Sequence, residues 1–182
     1  MSVSSETFKF IYVRIPRTGS SSFVHYLETT FGNHLQQIGG QHAAALELKS
    51  IYGQQWDEFH TFGFIRNPWD WLVSMYNANI SDGARGKEPL PGGHNNGEMF
   101  RSNMPFEEWI YQRKTTPVDW LSDESGNVMV DEVRLFEDFI QQSKVRVGMK
   151  PHSRYQDWYT PELAQYVLHK CQREITLGGY TF

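Results

Sequence analysis

Three arginines and a run of hydroxyls are the side chains of this 182-residue chain best equipped for chemistry. Arg14 and Arg17 flank Ile15-Pro16, and Thr18, Gly19, Ser20, Ser21 and Ser22 follow at once. Arg66 opens a second segment, Arg66-Asn67-Pro68-Trp69-Asp70-Trp71-Leu72-Val73-Ser74. Guanidinium groups and hydroxyls are hydrogen-bond donors, and a glycine among them lets the backbone approach an oxyanion closely. Their natural ligand is a multi-oxygen anion such as phosphate or sulfate. The same serines could do no more than cap a helix, and Arg66 could make an ordinary salt bridge, so neither segment decides alone.

These residues act together only if the fold gathers them. Residues 8–15 are β-branched and aromatic and end at Pro16, which reads as a buried strand. Phe23, Tyr26, Leu27 and Phe31 then follow helical spacing up to a stop at Gly32. The pattern recurs as a strand over 61–66, Asn67 as N-cap, Pro68 at the first helical position and a helix through Asn77. Two such units in one parallel sheet bring Arg14, Arg17 and Arg66 to its carboxyl edge, where α/β proteins bind ligands. The helix N-termini at that edge favour phosphate or sulfate. The expected fold is α/β: a single domain, 1–182, with a central parallel sheet flanked by helices.

The remaining elements are less sharply marked. A helix over 43–52 closes at Gly53, with His42 at its entrance. Residues 80–105 lack apolar periodicity and read as a long mobile loop able to act as a lid. A helix over 106–113, a strand over 128–133 and a helix over 136–143 follow. The last helix starts cleanly, with Thr160 as N-cap and Pro161 at N1, and runs to about residue 172 with Leu163, Val167 and Leu168 facing inward.

Composition narrows the classes. Apolar residues at 39% and aromatics at 15% suffice for a globular core, which the tryptophans mainly serve to fill. A net charge of -4 argues against a broad basic face for nucleic acid or an anionic membrane, so the anion site must be local. One cysteine, Cys171, rules out an internal disulfide and fits a reducing compartment. No run reaches the roughly 18 apolar residues of a membrane span, so a cytoplasmic protein without an anchor is expected. The seven histidines are scattered without metal-ligand spacing, and no metal is expected. Nothing in the sequence sets an oligomeric state.

With these residues in view, Ile15-Pro16-Arg17-Thr18-Gly19-Ser20-Ser21-Ser22 resembles the 5′-phosphosulfate loop, I-P-K-T-G-G-T-S, of the sulfotransferases that use PAPS (3′-phosphoadenosine 5′-phosphosulfate). Arg66 to Ser74 matches their 3′-phosphate motif, R-N-P-x-D-x-x-V-S, at all its specified positions. The first match departs at Arg17, Ser20 and Ser21. Tyr159-Thr160-Pro161-Glu162 and Gly179-Tyr180-Thr181-Phe182 resemble the closing segment of carbohydrate-type members, whose architecture is P-loop NTPase-like.

The resemblance implies sulfuryl transfer from PAPS, leaving PAP, to a hydroxyl-bearing acceptor that is a carbohydrate. It implies that Arg17, Thr18, Gly19, Ser20, Ser21 and Ser22 wrap the 5′-phosphosulfate, that Arg66 and Ser74 grip the 3′-phosphate, and that Ser153 and Arg154 close over the nucleotide. His42 resembles in place the catalytic histidine of some members, and a base near neutral pKa suits the deprotonation of an attacking hydroxyl. Glu137, in a segment similar to the family's R-F-E, is the reserve base. Arg17 in place of lysine stabilises charge but donates a proton poorly. Two alternatives stay open. A P-loop-type kinase would need G-x-x-x-x-G-K-[ST] and magnesium, and this turn lacks the second glycine and the lysine. A non-catalytic nucleotide- or glycan-binding module would set its tryptophans against sugar rings.

Overall fold

The computed structural model describes residues 1–84, 104–142 and 154–182. Its strands are β1 (Ser2–Ser5), β2 (Phe10–Val13), β3 (Gln36–Ile38), β4 (His60–Ile65) and β5 (Glu132–Leu135). Its helices are α1 (Ser20–Phe31), α2 (Ala45–Tyr52), α3 (Pro68–Ala84), α4 (Phe106–Gln112), α5 (Phe136–Gln142), α6 (Pro161–Lys170) and α7 (Gln172–Gly178). The chain divides into two compact units, Met1–Arg66 with Pro117–Lys150, and Asn67–Thr116 with Pro151–Phe182.

The first unit carries the sheet, in the order β3-β1-β2-β4-β5. β2, β4 and β5 run parallel, with Phe10 opposite His60 and Phe62 opposite Glu132. The two strands expected from the sequence are therefore neighbours in one parallel sheet. β1 pairs antiparallel with both β2 and β3, which makes the sheet mixed at one side.

β1 is absent from the sequence expectation because three of its four residues are serines, yet Ser2, Ser4 and Ser5 are fully buried. Their hydroxyls are satisfied internally. Ser2 Oγ accepts from the Arg14 N–H at 2.9 Å, Ser4 Oγ from Tyr52 Oη at 2.7 Å and Ser5 Oγ from the Phe8 N–H at 3.3 Å. A buried hydroxyl with a partner loses the desolvation penalty that makes serine rare in cores. The strand expected over 128–133 lies instead at β5. Residues 123–127 form a turn in which Asp123 accepts from the N–H groups of Ser125 and Asn127 at 2.9 and 2.8 Å. Val128 keeps only an isolated bridge to Ser122.

On the sheet, Phe23, Val24 and Leu27 of α1 pack against Val3, Phe10, Tyr12, Phe62 and Phe64. Burying each such side chain contributes about 1.5–3 kcal/mol. Tyr26, on the same helical spacing, stays exposed and stacks on Phe23. In α2 only Ala45 and Leu48 turn inward, while Leu46 and Ile51 face solvent.

In the second unit, α3 begins where the sequence places it. Asn67 Oδ1 accepts from the N–H groups of Trp69 and Asp70 at 3.1 and 3.3 Å, with Pro68 as the first residue of α3. α3 continues beyond Asn77 to Ala84, with no proline between these residues to stop it, and most of the loop read over 80–105 lies outside the described residues. Thr160 Oγ1 caps α6 by accepting from the Leu163 N–H at 3.2 Å. Leu163 and Val167 are buried and Leu168 is half-buried. Trp69, Trp71 and Trp109 are core residues, and the Arg113 guanidinium lies over the rings of Trp71 and Trp109.

Gly63 in β4 shows how tightly the sheet is packed. A Cβ added there would stand 3.2 Å from the Val13 carbonyl oxygen and press into the buried Leu121 side chain. We expect Gly63→Ala to destabilise the protein by about 1–3 kcal/mol in urea unfolding, the range of an overpacked core. An unchanged midpoint would contradict this packing.

Candidate functional site

The site grows out of the carboxyl end of β2. After Val13 the chain passes through Arg14, Ile15 and Pro16, then takes two left-handed residues, Arg17 at φ 64° and Gly19 at φ 66°. Thr18 between them is buried, and its hydroxyl donates to the Ile15 carbonyl at 3.0 Å, which closes the turn on itself. What Thr18 can offer an anion is therefore its backbone N–H.

Gly19 is the N-cap of α1, and the first helical hydrogen bond runs from the Phe23 N–H to the Gly19 carbonyl at 3.1 Å. By helix geometry the N–H groups of residues 20–22 have no intrahelical acceptor, and the helix dipole adds partial positive charge to them. Only glycine suits position 19, because a Cβ there would collide with the Phe136 ring at the start of α5. Arg17, not a glycine, still holds φ 64°, and its side chain is exposed. Such backbone strain costs on the order of 1–3 kcal/mol and is found where a side chain must be presented.

Arg66, directly after β4, is buried. Its Nη1 donates to the Arg17 carbonyl at 2.9 Å and its guanidinium lies 4.9 Å over the Phe136 ring. Phe136 thus serves the turn and Arg66 together. Arg14 Nε donates to Ser20 Oγ at 3.2 Å and its Nη2 to Ser21 Oγ at 2.7 Å. The convergence of Arg14, Arg17 and Arg66 expected at the carboxyl edge is present.

His42 joins the same group. Its Nδ1 lies 3.0 Å from the Arg14 carbonyl oxygen, and its own carbonyl accepts from Trp120 Nε1 at 3.0 Å. A carbonyl can only accept, so Nδ1 carries the proton and Nε2 is left with a lone pair. Burial lowers the imidazole pKa most. The Arg14 carbonyl opposes this, while the charges of Arg14, the amino terminus and Arg17 add to the lowering, which reaches about 4. The ring is neutral at pH 7, as a base must be, but it is a weaker base than the near-neutral one expected.

Glu137 is the second residue of α5. Ser74, buried in α3, and the exposed Arg154 belong to the second unit. Ser153 lies outside the described residues. The sequence places Phe136 at the start of a helix and within the segment similar to R-F-E, and Trp120 among the tryptophans. Neither carries a local signal of its role, which depends on contacts across long sequence separation. Among the described residues no helix is long and apolar enough to cross a membrane, and no group of three or more His, Cys, Asp or Glu could hold a metal ion.

Comparison with known families identifies the architecture. The family model described as Sulfotransferase family matches residues 2–178, and the chain belongs to that family. No curated protein and no solved structure matches it.

The half-buried neutral imidazole makes stability depend on pH. Unfolded, His42 binds a proton below about pH 6.5, and folded only below about 4. Between these values the unfolded state holds more protons, so stability rises with pH across the window and is lost on acidification, by about 3 kcal/mol in total. His42→Asn, whose side chain tolerates a positive φ, removes the titration. Urea unfolding of both proteins from pH 7 to 4.5 should show the steeper acid loss in wild type; equal slopes would contradict the neutral histidine.

Proposed function

We propose that this member of the sulfotransferase family moves a sulfuryl group from PAPS to the hydroxyl of an acceptor, with PAP as the other product. The observation that carries the reading is the turn from Arg17 to Ser22, which launches α1 at the carboxyl end of a parallel strand beside Arg14 and Arg66. First-turn N–H groups, short hydroxyls and arginines fit a phosphosulfate, whose oxygens are acceptors throughout. The saccharide character of the acceptor rests on the family resemblance of the sequence.

When bound, the donor supplies a sulfuryl group carried on a phosphate leaving group. Ser20, Ser21 and Ser22, with the N–H groups of Thr18 and Gly19, hold the 5′-phosphosulfate in this reading, and Arg17 offsets charge on the leaving oxygen without giving up a proton. Arg66 and Ser74 take the 3′-phosphate, and Ser153 and Arg154 close over the nucleotide, on the resemblance alone. As the acceptor oxygen bonds to sulfur and the sulfur–phosphate oxygen bond breaks, the hydroxyl proton passes to His42 Nε2. The low basicity of His42 is a property of the ligand-free protein. An anion beside Arg14 and Arg17 offsets the positive charges that depress it and moves the imidazole toward its working range.

Calorimetric titration with PAP in magnesium-free buffer tests this directly. Wild type should bind, and Arg66→Ala should bind about 10- to 100-fold more weakly, the loss of one charge-assisted hydrogen bond. His42→Asn should retain PAP affinity while lowering turnover by about 10²–10⁴. Failure of folded wild type to bind PAP, together with magnesium-dependent ATP hydrolysis, would favour a kinase instead.

A further inference from the structure

Arg14 stands outside the motif that the resemblance carries over, yet its polar groups reach the turn, the base and β1. Its Nε and Nη2 meet Ser20 Oγ and Ser21 Oγ, its carbonyl accepts from His42 Nδ1, and its N–H donates to Ser2 Oγ. We propose that Arg14 is a positioning residue of the donor site, whose guanidinium fork fixes the Ser20 and Ser21 hydroxyls so that their protons face the bound anion. The proposal rests on the reading of this turn as the phosphosulfate site.

Each serine hydroxyl has one proton and two lone pairs. A guanidinium can only donate, so the bond from Arg14 occupies a lone pair and leaves the proton to go elsewhere. In helices that proton commonly returns to a carbonyl three or four residues back, as Thr29 and Thr30 do further along α1 with the carbonyls of His25 and Tyr26. Ser20 and Ser21 do not: among the described residues their hydroxyls have no partner besides Arg14. Thr18, by contrast, gives its proton to the turn. The two hydroxyls held by Arg14 therefore keep their donors for a ligand at the N-terminus of α1.

The fork is anchored from behind. The Arg14 backbone is gripped on one side by Ser2 of β1 and on the other by His42, so the side chain starts from a fixed base at the end of β2. Among the described residues no carboxylate pairs with it, and its charge remains directed at the turn. A lysine could keep that charge but not the planar spacing that reaches two hydroxyls together. The link to His42 runs through the carbonyl, so a side-chain substitution leaves the base held.

The test is a double-mutant cycle read by PAP titration, with Arg14→Lys on one side, the pair Ser20→Ala and Ser21→Ala on the other, and the triple variant. Arg14→Lys should weaken PAP binding about tenfold despite its retained charge, and the serine pair should do the same. The triple variant should bind within about twofold of either, because the fork and the hydroxyls act as one device. In transfer assays the donor KM of Arg14→Lys should rise about tenfold with kcat within twofold, the signature of contacts kept from ground state to transition state. A merely structural role would instead lower kcat through a smaller active fraction and leave KM unchanged. Losses that multiply in the triple variant, or wild-type affinity in Arg14→Lys, overturn the proposal while the donor reading stands. PAP binding absent from wild type overturns both. Should Arg14→Lys fail to fold, wild-type affinity in the serine pair still overturns it, because the fork would then have nothing to position.

Discussion

The turn between β2 and α1 is the constraint on which the site depends. Two left-handed residues, Arg17 and Gly19, reverse the chain tightly enough for α1 to start at the carboxyl edge of the sheet. The Phe136 ring sits where a Cβ of residue 19 would be, so the start of α5 sets how close the turn lies to Arg66. Parallel pairing of β2 with β4 then puts the Arg66 guanidinium within 2.9 Å of the Arg17 carbonyl. These contacts together fix where the first turn of α1, with its N–H groups lacking intrahelical acceptors, stands beside the arginines.

Charge and burial act in opposite senses around that turn. Arg14, Arg17 and Arg66 gather positive charge at one edge of a protein whose net charge is -4. Burial above all, with the charges of Arg14, the amino terminus and Arg17, keeps His42 unprotonated and leaves Nε2 with its lone pair. In the proposed reading, a dianion held beside these arginines would by its own charge make the imidazole a better base, which would couple donor binding to the proton transfer through electrostatics.

Much of this was legible in the sequence. The strand-turn-helix units, the Asn67 and Thr160 caps and the stops at Gly32 and Gly53 follow from local rules, since each depends on residues a few positions apart. The seryl strand β1 was hidden because its burial depends on hydroxyl partners at Arg14 and Tyr52, and hydropathy carries no trace of them. The start of β5 at Glu132 was not legible because Val128 bridges Ser122 across the Asp123 turn, and Asp131 is held by Thr61 of β4, contacts between residues that no local pattern marks. At the site, the arginines and hydroxyls were evident from type and spacing. The fork of Arg14, the Phe136 platform and the tautomer of His42 were not, because each is fixed by a contact between segments distant in the chain.

The central claim is that the first turn of α1 receives the phosphosulfate end of the donor. A crystal structure with PAP tests it most directly. The account predicts the 5′-phosphate oxygens about 2.7–3.2 Å from the N–H groups of residues 20–22 and within reach of the Ser20 and Ser21 hydroxyls. PAP bound away from this turn, or its 5′-phosphate turned from these groups, would contradict the account.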